Sequence, residues 1–318
     1  MPSSTSNSSR RISIAVVLGI TLALLGIYDV LVARGVVPAS EGLTQDQSNQ
    51  IRSERYFQDS IPTPTLVMVG SSLTTNIRPE YVGPGVYNLG YGGGCACTGL
   101  DIIEHSRIQP KVVLVEVDYT LGLGVDHDMV DAITNPIISR IDAAAPILRM
   151  EYQPVSVVVN MLKKREQRKL GSVENRDKIL SNFDQAIRRR MVKQVVDSKS
   201  TPMTEKTRTK LVTQCEALKP VIKKLTDRGI HVVLQMIPGE QQVAETVQSK
   251  QSTALILSEF PADQYEWLPA PPARDWATHD GIHLTKEDAG IYGKFVGQQL
   301  AKYLGTTSPA STTSVATR

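Results

Sequence analysis

Four short, largely apolar runs constrain this chain more than any other feature: Thr65–Val69, Val86–Leu89, Lys111–Val117 and Ile230–Ile237. Each stops at a turn or a polar residue: Gly70, the glycine-rich Gly90–Gly94, Asp118 and Pro238-Gly239. Apolar runs of this length, bounded by turn signals, read as strands buried on both faces. Between and after them lie helical patterns at 98–107, at 205–228 (closed by Gly229) and at 285–304. In the last of these, Thr285 stands at the cap position and Asp288 at the third helical position, where a carboxylate suits the helix N-terminus. Strands alternating with helices predict an α/β fold whose parallel sheet is covered on both faces. Ligands of such sheets bind outside the carboxyl ends of the strands. Gly70 to Ser72, Gly90 and Asp118 all lie just past strand ends.

The chain has 318 residues and is 41% hydrophobic, enough for a sizeable core. Its formal charge of +3 is too small to argue for a nucleic-acid partner. Cys95, Cys97 and Cys215 are too few and too irregularly spaced for a disulfide framework. A bond between Cys95 and Cys97 would be strained; a link from either to Cys215, or three small buried thiols, are the readings left open. No Cys/His spacing resembles a metal site, and no cofactor signature is present.

The N-terminus departs from this ordinary composition. Arg10-Arg11 precedes an uncharged apolar stretch at 12–28, and the run continues past Asp29 to Ala33. As a helix, residues 12–33 rise about 33 Å, enough to cross a hydrocarbon core. The basic residues before it place the N-terminus in the cytoplasm and the rest of the chain outside, by the positive-inside rule. An uncleaved signal anchor in the inner membrane is the reading adopted. A secretory peptide cleaved near Val37-Pro38-Ala39 is the alternative. The expected organisation is a cytoplasmic segment at 1–11, the anchor at 12–33, a stalk at 34–60, an α/β domain at 61–304 and a disordered tail at 305–318. Residues 126–200 interrupt the strand–helix alternation as a helical insertion. Within it, 155–200 holds 12 Lys/Arg against 5 Asp/Glu. That excess makes a solvated helical face or, more sharply, a surface for anionic lipid or acidic glycan.

The chemistry-bearing residues sit far apart in the sequence. Gly70-Ser71-Ser72-Leu73-Thr74 follows the first strand, and Asp280-Gly281-Ile282-His283-Leu284 precedes the last helix. A serine hydroxyl becomes a nucleophile when a base lies within hydrogen-bond reach and a third group orients that base. Ser72, His283 and Asp280 supply those three roles. An oxyanion also needs donors, for which the backbone N–H groups of Ser72 and Gly90 are candidates. Ser71, Asp118 and Trp276 are candidates for the substrate cleft. His279 competes with His283 as base. Trp267 and Trp276 both precede the Asp/His block and could line the cleft, with packing the favoured role for each. His105, His127 and His231 have no partner pattern and read as structural or exposed.

The blocks Gly70-Ser-Ser-Leu-Thr74, Asn88-Leu-Gly90 and Asp280-Gly-Ile-His-Leu284, in that order, resemble the SGNH/GDSL hydrolase superfamily over roughly 63–120 and 228–304. The resemblance implies a three-layer α/β/α, flavodoxin-like domain. It also implies Ser72 as nucleophile, His283 as base, Asp280 as orienting acid and Gly90 as an oxyanion-hole amide. Two positions depart from the family pattern. Ser71 replaces the usual aspartate, a form similar to that in envelope proteins of polysaccharide acetylation. The third block's oxyanion asparagine is absent, and the strand ends instead at Asp118. The expected activity is a membrane-anchored serine acyl-esterase or O-acetyltransferase acting on an envelope or exported polysaccharide. Its partners would be an acylated carbohydrate or other ester and a membrane-bound acyltransferase. The alternatives are a lipid esterase or thioesterase, and a catalytically weak glycan-binding protein.

Overall fold

A computed structural model of the chain describes residues 6–58, 61–170 and 176–305; the tail expected to be disordered lies outside these apart from Gly305. The chain forms two compact units, one from Met1–Glu54 with Asn135–Gly171, the other from Arg55–Thr134 with Ser172–Arg318. The helical region at 126–200 is therefore divided between them.

The second unit holds the sheet. Its strands are β1 (Leu66–Gly70), β2 (Val86–Gly90), β3 (Val112–Glu116), β4 (His231–Gln235) and β5 (Glu266–Trp267). All pairings are parallel, in the order β2-β1-β3-β4-β5. This is a doubly wound order, which reverses direction between β1 and β3. Four strands lie where the apolar runs predict them. The two-residue β5 was not legible as a run; only its pairing with Val233 and Leu234 defines it.

Alternation along each strand sorts the core into two layers. Val67, Val69, Val113, Val115 and Leu234 pack on one face with residues of three helices: α5 (Ala96–His105), α10 (Glu205–Asp227) and α12 (Val247–Glu259). Leu66, Met68, Val112, Leu114 and Val233 pack on the other face with Ile77, Val82, Tyr292 and Val296. These come from the short α3 (Ser72–Thr75) and α4 (Pro79–Val82) region and from α13 (Lys286–Gln299). Burial on both faces is why the strands show no polar alternation. Thr285 caps α13 by accepting the Asp288 N–H. That helix stops at Gln299, and Ala301–Leu304 (α14) follows as a separate turn.

The α13–α4 contact is close because α13 carries glycines there. A Cβ on Gly297 would lie 2.0 Å from the Val82 carbonyl oxygen, and one on Gly293 would lie 2.5 Å from Tyr81 Cβ. Gly297→Ala gains about 1 kcal/mol of helix propensity but forces the two helices apart, at roughly 3 kcal/mol. A net loss of about 2 kcal/mol is expected in chemical denaturation, and an unchanged or higher midpoint would contradict this packing.

The first unit contains α1 (Ser6–Ala33), most of α2 (Gln45–Phe57), α7 (Pro136–Ala144) and α8 (Pro154–Leu170). Within α1, Ile14–Ala33 is apolar, exposed from Ile14 to Ile27 and long enough to cross a membrane; a signal sequence near an N-terminus has the same composition. α2 lies within the stretch expected to form a stalk.

Candidate active site

The turn after β1 is built around a buried carboxyl. Ser71 has extended backbone and caps α3, its Oγ accepting the Leu73 N–H at 3.1 Å. Its hydroxyl donates to Glu116 Oε1 at 2.5 Å. Glu116 Oε2 accepts the Thr74 N–H at 2.9 Å, the Thr74 hydroxyl at 2.6 Å and the Ser71 N–H at 3.2 Å. Gly70 is required here, since a Cβ would lie 2.1 Å from Thr74 Oγ1 and 2.5 Å from Glu116 Oε2. Burial, reinforced by the Asp118 charge, pushes the Glu116 carboxyl up to about 8.

This turn presents Ser72 at the carboxyl edge of the sheet. The neighbouring amides of Ser71, Leu73 and Thr74 are taken up by Glu116 and Ser71. The Ser72 N–H has no acceptor among the described residues.

The Asp/His segment is a small hairpin. Thr278 bridges Leu284, and the His279 N–H donates to the His283 carbonyl at 2.8 Å. Gly281 sits at its tip with φ +96°, the left-handed region that favours glycine. Asp280 Oδ1 accepts the N–H groups of Ile282 at 3.0 Å and His283 at 2.9 Å. Asp280 Oδ2 lies 2.7 Å from His283 Nδ1. Burial alone would raise the Asp280 carboxyl, but the two amides and the imidazole outweigh it and hold the group below its ordinary value.

A carboxylate only accepts, so His283 Nδ1 carries the hydrogen and Nε2 is left as acceptor. Nε2 lies 2.7 Å from Ser72 Oγ, across 211 positions of sequence. Asn76 ties the two segments together, its Nδ2 donating to the Leu284 carbonyl at 3.2 Å. Arg188 braces the hairpin from behind, with Nε 2.5 Å from the Thr278 carbonyl and Nη2 2.8 Å from Glu240. Such a relay can take a proton from a serine hydroxyl and return it to a leaving group.

Other expected site residues fall elsewhere. The Gly90 N–H donates to Asn88 Oδ1 at 2.8 Å, so in this arrangement it is not offered to an oxyanion. Gly90 is needed for close approach instead, since a Cβ would lie 2.8 Å from the Thr75 amide nitrogen. Ser71, expected in the cleft, is 1% exposed, because its side chain turns down to Glu116. Trp276, a cleft candidate whose favoured role is packing, is 8% exposed and packs edge-on against Tyr292 in the core.

Asp118 does line a cleft of about 130 Å³, with Leu73, Tyr119, Lys199, Ile237 and Val243. Its Oδ1 accepts the Thr120 N–H at 2.8 Å and the Thr120 hydroxyl. Burial raises the Asp118 carboxyl. Lys199 Nζ lies 3.5 Å from the centre of the Tyr119 ring, and burial lowers its ammonium against the pull of Asp118. The His279 side chain is exposed, and the triad contacts are made by His283. Trp267 donates from Nε1 to the Phe260 carbonyl, as packing predicts. All three cysteines are free and buried.

Sequence reasoning passed over Glu116, Asn88, Arg188 and Lys199. One signal for Glu116 was available: it is the single ionisable side chain within the apolar run Val112–Val117, and a carboxyl buried in a strand needs donors. Asn88 was readable only as part of a block. It donates from Nδ2 to the carbonyls of Thr74 at 2.6 Å and Ile77 at 2.7 Å, anchoring the end of α3. No protein-family model matches this chain, and no curated protein matches it.

Proposed function

We propose that the chain is a membrane-anchored serine acyl-esterase or O-acetyltransferase of the SGNH/GDSL type, acting on an envelope or exported polysaccharide. The observation that carries the reading is the Ser72–His283–Asp280 relay, with both of its hydrogen bonds at 2.7 Å. In the first half-reaction Ser72 Oγ attacks the acyl carbon while His283 Nε2 takes its proton. The Ser72 N–H faces the developing oxyanion. The carbon–oxygen bond to the leaving alcohol breaks, and His283 returns the proton to that oxygen, leaving an ester on Ser72. A sugar hydroxyl or water then attacks the acyl carbon while His283 Nε2 takes its proton; the bond from that carbon to Ser72 Oγ breaks, and His283 returns the proton to Ser72. The doubly wound strand order and the order of the three blocks support the family reading. The length and composition of α1 support the anchor.

A second reading rests on the cleft beside Leu73 and Ile282. Its walls include Met236, Ile237, Val243 and Ile256, which would suit a lipid esterase or thioesterase.

The test uses the full chain in detergent, with a fluorophosphonate probe and p-nitrophenyl acetate. Wild-type protein is expected to label and turn over, and Ser72→Ala to do neither. Labelling that persists in Ser72→Ala removes Ser72 as nucleophile. A wild type that neither labels nor turns over would favour a glycan-binding role.

A further inference from the structure

Two helices of the first unit are amphipathic in the wrong sense for water. On α8, Ser156 and Val157 are buried, while Val155, Val158 and Leu162 are exposed. Spacings of three and seven residues place these three on one face. On α7, which has no buried residue, Ile137 and Ile141 are exposed four residues apart. Leu148, between the helices, is exposed as well. A helix packed on a protein core and facing water turns its apolar stripe inward; here the stripe is left uncovered in the described chain.

The connection between these helices is pinned to one end of α1. The Ile147 N–H donates to Asp29 Oδ1 at 3.0 Å, and the Tyr28 hydroxyl donates to the Tyr152 carbonyl at 2.9 Å. Asp29 is the first charge after the apolar run, and Tyr28 precedes it. A tyrosine and a first charge mark where a spanning helix reaches the headgroups. The exposed apolar faces thus begin at that level. The apolar part of α8, Pro154–Lys163, is too short to cross: ten helical residues rise only about 15 Å. The exposed Lys163 ends this part and the exposed Arg165 lies two residues on, as suits contact with anionic headgroups.

We infer that α7 and α8 lie in the outer boundary of the bilayer, their exposed faces sunk among the lipid chains beside the end of α1, so that the first unit is a membrane-seating platform rather than a tether. The inference rests on reading α1 as a span.

The test is depth measurement by spin labelling of the full chain in nanodiscs of three parts phosphatidylcholine to one part phosphatidylglycerol. Nitroxides are placed through Ile141→Cys and Val158→Cys. Leu22→Cys in α1 and the exposed Lys250→Cys on α12 serve as references, and labelled wild type is the blank for the buried native cysteines. The ratio of oxygen to nickel-chelate accessibility at 141 and 158 is expected to fall between the two references, at a depth of about 5–10 Å. Ratios at 141 and 158 equal to that at 250 overturn the platform while leaving the anchor in place. Shielding of both sites from both reagents also overturns it, since a protein would then cover the face. An aqueous ratio at 22 removes the anchor reading and the platform with it.

Discussion

Ser72→Ala, His283→Ala and the double variant are each expected to lose kcat on p-nitrophenyl acetate by about the same factor, roughly 10³- to 10⁶-fold. The reason lies in the shared proton. Ser72 Oγ has one base, His283 Nε2 at 2.7 Å, and that base is oriented through Nδ1 by Asp280. Removing the hydroxyl leaves the base nothing to act on, and removing the base leaves the hydroxyl a weak nucleophile. The second substitution therefore has little left to take away. Losses that multiply in the double variant would show two independent contributions and sink the relay. Both side chains are only partly buried, so thermal midpoints should move by a few degrees at most. A collapse in stability would assign them to the fold instead.

The second large effect is a pH-dependent one at Glu116. Its carboxyl is 1% exposed and is pushed up to about 8, chiefly by burial. The unfolded chain would lose that proton near the ordinary glutamate value of about 4.3. Below both values the group has no influence on the slope. Between them the folded state holds a proton that the unfolded state has released, so stability falls as pH rises. Above about 8 the accumulated cost is on the order of 5 kcal/mol. Glu116→Gln has no proton to lose and should escape this cost. Its stability relative to wild type is expected to improve from pH 5 to about pH 8 and to level off by pH 9 in urea denaturation. A difference that stays flat across that range would mean that Glu116 is already ionised in the folded protein at pH 5. Glu116→Ala is a different test. It strips the partners from the Ser71 hydroxyl and the Thr74 amide, buried donors that cost about 1–3 kcal/mol each when unsatisfied. It also frees the turn that carries Ser72. A displacement of about 1 Å there is worth roughly 10²-fold in rate.

Particular residues show how far the sequence could be read. Val112–Glu116 was legible as a strand because a fully buried strand must be almost wholly apolar. Lys286–Gln299 was legible as a helix because Thr285 and Asp288 mark its start locally. Ser72, Asp280 and His283 were legible as candidates because each lies in a short segment beside a recognisable element. From the sequence, Ser71 reads as a cleft residue and Trp276 as either cleft or core, for a common reason. A serine beside a nucleophile and a tryptophan beside a histidine read the same whether they face a cleft or a core. Only the position of Glu116, 45 residues from Ser71, and of Tyr292 settles which.

By itself, then, the sequence determined four of the five strands, the helices α5, α10 and α13, the apolar segment of α1 and the three residue types of the relay. Each of these is written in local periodicity and turn chemistry. The tertiary structure alone decided that Ser72 meets His283, that the Gly90 amide is spent on Asn88, that Glu116 lies beneath the turn carrying Ser72 and that α7 and α8 expose their apolar faces. Those outcomes depend on which surfaces pack together, and packing joins residues that no local pattern relates.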